Sequence, residues 1–225
     1  MTDAPAAMLR QAYDLHVHCT PDVVPRAQDL IEIGQAASQA GMAGLLIKDH
    51  TTSTVGRANV LNALYPAGPR FYSVLVLNPP VGSFNPYAVE AALHAGVDAI
   101  CFPTYAAQHQ IAVLGPDMFA PTFPRPRQND AGLSVLDREQ ALRPAVLHIL
   151  SLIACHDAIL LTGHLSPRET LALLTSAREL GVRRMLVTHA SWLVPDMSVE
   201  DQQKAVACGA MIEHCLMGGL PNQVH

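Results

Sequence analysis

Residues 12–19 read Ala-Tyr-Asp-Leu-His-Val-His-Cys, an apolar run interrupted by two histidines, His16 and His18, one residue apart. On a β-strand, residues two apart point to the same side, so both imidazoles would face one wall of the core. Burying two imidazoles in an apolar wall costs free energy unless each has a partner. A metal ion is one such partner, and hydrogen bonds at a strand end are the alternative. The stretch alone leaves both interpretations open.

The composition favours a single buried core and a small-molecule substrate. The chain has 225 residues, of which 50% are hydrophobic and only 15% charged. This length suits one domain spanning residues 1–225, and the low charge content suits a sheet covered on both faces. The net charge is −5, and Lys48 and Lys204 are the only lysines. We therefore expect no nucleic-acid partner.

The cysteines and the apolar runs indicate where the protein works. Five cysteines occur, an odd number without C-x-x-C spacing, which is typical of a reduced protein rather than a disulfide scaffold. No signal-peptide pattern opens the chain, and no apolar run approaches the roughly 18 residues of a membrane span. We expect a cytoplasmic protein with no membrane partner. A homo-oligomer is compatible with this composition.

Apolar runs alternate with amphipathic stretches along the chain, which predicts an α/β fold with parallel strands. Predicted strands cover about 12–19, 44–50, 70–78, 98–104, 158–164, 184–191 and 210–215. Predicted helices cover about 27–40, 54–65, 86–95, 144–156, 167–180 and 198–208. No glycine-rich phosphate-binding motif follows a strand, so a nucleotide-binding sheet loses support. A (β/α)₈ TIM-type barrel, incomplete at its eighth strand, is the expected architecture.

Residues 105–143 break this rhythm, since they show no clean periodicity. A loop of this length inside a compact domain usually covers a binding site, and a disordered excursion is the alternative. We expect a lid over the mouth of the barrel. Arg125, within this segment, is a candidate contact for an anionic substrate.

Polar residues gather where the predicted strands end, and parallel barrels carry their chemistry at that end. The candidates, in strand order, are His16 and His18, Lys48 and His50, Asn78, Thr104, His164, His189, and Glu213. Histidines that merely fill a core would not collect at one end of successive strands.

Asp14-Leu-His-Val-His18, together with single histidines closing strands five and six, resembles the amidohydrolase superfamily of metal-dependent hydrolases. Leu46-Ile-Lys-Asp-His50, Leu161-Thr-Gly-His-Leu-Ser-Pro167 and Ile212-Glu-His214 are similar to an uncharacterised amidohydrolase-related branch of it. The resemblance covers nearly the whole chain. It implies a (β/α)₈ barrel with one or two divalent metals at its mouth. The metal ligands it implies are His16, His18, His164 and His189.

Two departures from the superfamily pattern bear on the metal count and on barrel closure. Binuclear members carry a carboxylated lysine or a glutamate at the end of strand four, where this chain has Cys101-Phe-Pro-Thr104. One ion, with zinc as the expected metal, is therefore favoured over two. Members also close strand eight with an aspartate, whereas this sequence stops at His225, just after strand seven.

The remaining strand-end residues are expected to act on the substrate. Lys48, His50 and His189 are the candidate catalytic groups, and the substrate-binding candidates are Asn78, Thr104, Arg125 and Glu213. Asp14 shares the predicted strand face of His16 and His18, so it is a candidate to orient a ligand imidazole.

Four functions compete on this reading. The first is hydrolysis of an amide, cyclic amide or lactone by metal-activated water. The second is metal-dependent non-oxidative decarboxylation, for which one metal and a cationic group suffice. A PHP-type phosphoesterase is the third, although it would want more carboxylate ligands. A barrel that only binds a ligand is the fourth.

Overall fold

Seven parallel strands form one sheet, in which every strand pairs with the next strand along the chain. The computed structural model describes residues 4–115 and 131–215. The strands are β1 (Tyr13–Val17), β2 (Gly44–Ile47), β3 (Arg70–Val76), β4 (Ala99–Cys101), β5 (Ile159–Leu161), β6 (Arg184–Val187) and β7 (Ala210–Ile212). Parallel neighbours in chain order need a crossover at each step, and helices supply most of these crossovers.

The α-helices fall close to the predicted positions, with two additions. They are α1 (Ala4–Leu9), α2 (Leu30–Ala40), α3 (Val55–Leu64), α4 (Pro86–His94), α5 (Gln108–Leu114), α6 (Pro144–Cys155), α7 (Pro167–Glu179) and α8 (Val199–Ala207), with a 3₁₀ turn at Pro79–Val81. Ser166 caps α7, because its side chain and that of Glu169 form a capping box at the start of the helix. Helices α1 and α5 were not predicted.

Each strand ends earlier than its apolar run predicts. The run at 44–50 leaves the sheet after Ile47, the run at 158–164 after Leu161, and the run at 184–191 after Val187. The residues that follow leave the strand ladder and carry the polar side chains into the mouth. The predicted strand ends are therefore the loops that build the site.

The two faces of the sheet pack into separate cores, as expected for strands buried on both sides. Inside the curl lies a cluster formed by Leu46, Val74, Val76, Ala99, Cys101, Leu161 and Leu186. Alternate residues of the same strands, such as Leu75 and Ile100, pack outward against the helices. Because Leu46 faces inward, Lys48, two residues further on, continues the inward series below the mouth.

The described residues contain no eighth strand. The structure is therefore a curled seven-stranded sheet like a TIM-type barrel rather than a full (β/α)₈ barrel. The two edge strands are β1 and β7, and they are bridged by side chains. His16 Nδ1 of β1 lies 3.3 Å from Glu213 Oε2, just after β7. The sheet therefore curls until its edges come within side-chain reach.

No helix within residues 4–115 and 131–215 has both the length and the apolarity that a membrane crossing requires.

We predict that Gly163→Ala destabilises the fold more than Gly181→Ala. Both glycines have positive φ, but a Cβ at Gly163 would overlap the carbonyl oxygens of Phe102 and Pro103, whereas a Cβ at Gly181 meets nothing within 4 Å. Gly181→Ala should cost about 1 kcal/mol of backbone strain, and Gly163→Ala about 3 kcal/mol because of the added steric clash. Urea unfolding of both variants measures the difference, and equal losses would contradict it.

Candidate metal centre

Five imidazoles line up in an arc at the carboxyl ends of the strands. Successive ring centroids lie 4.7 Å apart for His50 and His18, 5.3 Å for His18 and His16, 5.0 Å for His16 and His189, and 4.8 Å for His189 and His164. The structure thus brings together all four histidines predicted as metal ligands, with His50 at one end. We refer to these five residues as the histidine arc.

A β-bulge in β1 turns His16, and His18 just after the strand, toward the interior. Asp14 pairs with Leu45 and Val17 with Ile47, so two residues of β1, Leu15 and His16, stand opposite one residue of β2. The extra residue shifts the alternation, and Val17 packs with the outer core beside Ile47. His16 and His18 therefore face inward, above the inward-facing Leu15.

The same bulge overturns the role expected for Asp14. Asp14 pairs with Leu45, which belongs to the outer core, so its side chain lies on the face opposite His16. Asp14 is exposed, and its carboxylate accepts a hydrogen bond from the backbone N–H of His16 at 3.0 Å. It stabilises the backbone of the bulge instead of orienting an imidazole.

Lys48 lies directly beneath the arc. Its side chain is completely buried, and Nζ lies 3.4 Å from Nε2 of His16. Burial raises the pKa of the Cys101 thiol on β4, and the nearby charge of Lys48 offsets part of this rise. Within residues 4–115 and 131–215, no carboxylate lies within 4.0 Å of Lys48. A buried cation without an anionic partner is costly, which marks Lys48 as a functional candidate.

Glu213, expected to bind substrate, contacts two members of the arc. Oε2 lies 3.3 Å from Nδ1 of His16 and accepts a hydrogen bond from the backbone N–H of His189 at 2.8 Å. His16, Glu213 and Cys215 offer donor atoms that all lie within 4.8 Å of one another. Sequence reasoning passed over Cys215, although it follows Glu213 by two residues, the same spacing that singled out His16 and His18.

The Cys215 thiol is the third of these donors. Burial, and then the nearby charge of Glu213, raise the pKa of Cys215 to about 11. Metals bind the thiolate rather than the thiol, so a metal at this position would displace the Cys215 proton.

Asn78 and Thr104, two more expected substrate contacts, are instead fully buried in a network around His50. Asn78 Oδ1 accepts from the Thr104 backbone N–H at 3.0 Å, so Asn78 Nδ2 is the donor to Thr104 Oγ1 at 2.7 Å. The Thr104 hydroxyl is then available to donate to Nδ1 of His50 at 2.8 Å. When this hydroxyl donates, the His50 proton is on Nε2 and His50 is a hydrogen-bond donor at that nitrogen; when it accepts through its second lone pair, the proton is on Nδ1.

His164, at the other end of the arc, has its proton on Nδ1. Its Nδ1 lies 2.7 Å from Oε1 of Gln110, a buried residue of α5. The imidazole therefore donates from Nδ1, which leaves Nε2 with its lone pair. Gln110 lies within the segment that shows no periodicity, so no sequence signal distinguished it. Trp192 was also missed, and its ring centroid lies 5.1 Å from those of both His164 and His189.

The segment 105–143 contacts the arc through its described residues. Besides Gln110, Tyr105 presents its ring edge-on to His50, with 6.4 Å between centroids. Ala107 and Leu133 form a β-bridge that connects the two described parts of the segment. The lid itself remains a prediction, and Arg125 lies outside the described residues.

Every imidazole of the arc is held in its neutral form. Burial lowers the pKa of each ring, and the charge of Lys48 lowers it further for all of them: His16, His18, His50, His164 and His189. Neutral imidazoles are the form that binds metal. Among residues 4–115 and 131–215, Nδ1 of His18 and Nδ1 of His189 are buried without a hydrogen-bond partner. Two orphaned nitrogens beside a neutral histidine fit the donor set of a divalent metal.

We predict that the metal-free protein loses stability as the pH falls below about 6.5, the ordinary histidine pKa. The unfolded chain takes up protons there, whereas the folded chain, with lowered pKa values, does not. Each such histidine contributes a loss of at most about 1.4 kcal/mol per pH unit.

Urea unfolding at about pH 7.5 and about pH 5.5 measures this loss. His164→Gln should reduce the pH dependence, while His94→Gln, which changes an exposed histidine of α4, should leave it unchanged. A stability that does not differ between the two pH values would contradict the prediction.

The sequence matches one family over residues 11–213, the family of unknown function DUF6282. The chain belongs to this family. No curated protein sequence matches the chain significantly. The matched region therefore contains β1 to β7 and the histidine arc, and its last residue is Glu213.

Two solved structures are similar to this chain at low identity. A Xaa-Pro dipeptidase with methionine bound in its active site has 16% identity and a TM-score of 0.50, covering 90% of this chain. Only 52% of the dipeptidase is covered, so the chain spans about half its length. At 16% identity, the likeness to the dipeptidase indicates a common fold only. A putative deoxyribose-phosphate aldolase from Coccidioides immitis has 11% identity and a TM-score of 0.49, covering 92% of this chain and 72% of the aldolase.

Proposed function

We propose that this chain is a metal-dependent hydrolase of the amidohydrolase type, which cleaves an amide, cyclic amide or lactone bond of a small molecule. The observation that carries the proposal is the histidine arc, five buried neutral imidazoles with two orphaned nitrogens at the carboxyl ends of the strands. Such a cluster has little value as core packing, since each unpaired polar atom costs free energy. A cytoplasmic location and a small-molecule substrate are part of the proposal.

The centre of the arc is the proposed position of one divalent metal, zinc. His16, His18 and His189 would supply imidazole ligands, because His16 lies between the two rings with orphaned nitrogens. Glu213, at the end of β7, would hold the His16 ring from its Nδ1 side. A catalytic zinc uses about three protein ligands and lowers the pKa of a bound water towards about 7.

Glu213 also fixes the tautomer of His16. Its carboxylate accepts the Nδ1 proton of His16, which leaves Nε2 as the ligand atom. A carboxylate behind a ligand imidazole raises the basicity of that imidazole and holds its ring in place.

The two ends of the arc would serve the substrate in different ways. His164 holds its proton on Nδ1 through Gln110, so its Nε2 is the candidate base that accepts a proton from the attacking water. In the tautomer in which Thr104 donates to its Nδ1, His50 is the candidate donor from Nε2 to the carbonyl oxygen as negative charge develops there. Lys48 places a buried cation below the same space.

The other functions have less support from the described residues. Within residues 4–115 and 131–215, Glu213 and Asp22 are the carboxylates within 4.0 Å of a ring nitrogen of the arc, fewer than a PHP-type phosphoesterase would want. Non-oxidative decarboxylation would use the same metal and the same cation, and a screen of carboxylic acids distinguishes it from hydrolysis.

We predict that zinc-loaded protein hydrolyses at least one member of a panel of amides, cyclic amides and lactones, and that Lys48→Met lowers this activity by about 100-fold or more. His164→Gln should lower it by a similar factor, because general-base catalysis contributes about 100-fold to 10,000-fold. Product formation measured with and without added zinc provides the readout.

Lys204→Met is the matched control, because Lys204 is the only other lysine and lies on exposed α8. It should retain full activity. Near-normal activity in Lys48→Met would remove the cation from the mechanism, and hydrolysis independent of zinc would overturn the proposal.

A further inference from the structure

Arg26 projects from the loop that follows β1, close to the histidine arc. Its Nε donates to Oδ2 of Asp22 at 2.8 Å, and the same oxygen lies 3.9 Å from Nδ1 of His18. The Asp22 carboxylate is fully buried, whereas one fifth of the Arg26 side chain is exposed. One carboxylate therefore holds the guanidinium next to the arc, with part of it open to solvent.

The loop that carries Arg26 is fixed at several points. The backbone N–H of Thr20 donates to the carbonyl of Gln28 at 3.0 Å, and that of Leu30 donates to the carbonyl of Thr20 at 3.1 Å, which closes the loop at its base. Val24, in the middle of this loop, packs against Tyr105 and Ala106 at the start of the segment 105–143. Arg26 is thus held in place by its surroundings rather than reaching freely into solvent.

The guanidinium has donors to spare. Asp22 uses the Nε edge, and neither terminal nitrogen of Arg26 has a hydrogen-bond partner among residues 4–115 and 131–215. A guanidinium offers five N–H groups in a planar fork that matches a carboxylate at two points. Arg26 and Lys48 also act electrostatically on the same rings, since both contribute to the lowered pKa values of His16, His18 and His50.

We propose that Arg26 forms an anion-binding subsite beside the histidine arc, and that the substrate carries a carboxylate group which this guanidinium binds. The proposal rests on the proposed hydrolase function and narrows its substrates to amides, cyclic amides or lactones that bear a carboxylate. Arg125, the anion contact expected from the sequence, is not required for this subsite.

Trp192 provides a direct readout of binding at the mouth. It is the only tryptophan of the chain, and its ring lies 5.1 Å from those of His164 and His189. Butyrate and its neutral isostere butyramide are the probes, because they differ in charge but hardly in shape. We expect butyrate to change Trp192 fluorescence with at least about tenfold higher affinity than butyramide, since hydrogen bonds to charged groups are the stronger ones.

The variant Arg26→Gln should lose this preference and bind butyrate about tenfold to 100-fold more weakly than the wild type, while Arg26→Lys should fall between the two. Arg183→Gln is the matched control, because Arg183 is exposed and pairs with Asp157 just ahead of β6, at the end of the sheet opposite the mouth. It should bind both probes as the wild type does.

Equal affinity of the wild type for butyrate and butyramide would overturn the proposal. So would a butyrate affinity that Arg26→Gln leaves unchanged. If Arg26→Gln fails to fold, the comparison of the two probes on the wild type still decides it.

The titrations are run with zinc-loaded and with metal-free protein. A preference for butyrate that exists only with zinc would assign the anion to the metal and refute the role of Arg26, leaving the hydrolase proposal intact. A protein that binds no zinc but keeps the preference would refute the hydrolase proposal alone.

Discussion

Five imidazoles lie buried where the parallel strands end, and each of them needs a partner for two ring nitrogens. Neighbouring side chains provide part of what is needed: Glu213 for His16, Thr104 for His50 and Gln110 for His164. Within the described part of the chain, Nδ1 of His18 and Nδ1 of His189 are buried without a hydrogen-bond partner, and the two rings flank His16. Because an unpaired buried polar atom costs about 1–3 kcal/mol, this arrangement favours a ligand that can satisfy several nitrogens at once.

The same constraint explains how the sheet can function without an eighth strand in the described residues. In a complete barrel, hydrogen bonds between strands would join the two edges. Here β1 and β7 meet through His16 and Glu213, so the contact that closes the mouth is also part of the site. Structure and function are therefore coupled at this point, and a change at Glu213 should affect both the position of His16 and the edge of the sheet.

Much of the fold could be predicted, because runs of Val, Ile and Leu alternate with amphipathic stretches that end near glycine. The convergence of His16, His18, His164 and His189 followed from their places at strand ends. The face of Asp14 could not be predicted, since strict alternation does not reveal a bulge. The expected roles of Asn78 and Thr104 gave way to a buried network whose partners are distant in sequence.

Other residues of the site carry no periodic signal at all. Gln110 and Tyr105 lie in the irregular segment, and Arg26 lies in a loop whose path depends on tertiary contacts. Residues in loops acquire their positions from packing and hydrogen bonds with the rest of the chain, so spacing alone does not place them.

X-ray absorption at the zinc edge of protein reconstituted with zinc tests the central claim, that the middle of the histidine arc holds one divalent metal. We expect one zinc per chain, with nitrogen and oxygen ligands about 2.0–2.2 Å from the zinc and the outer-shell scattering of imidazole. His16→Ala should abolish this signal, because His16 is the central ligand. A failure to bind zinc stoichiometrically, or a shell dominated by sulfur at about 2.3 Å, would contradict the account.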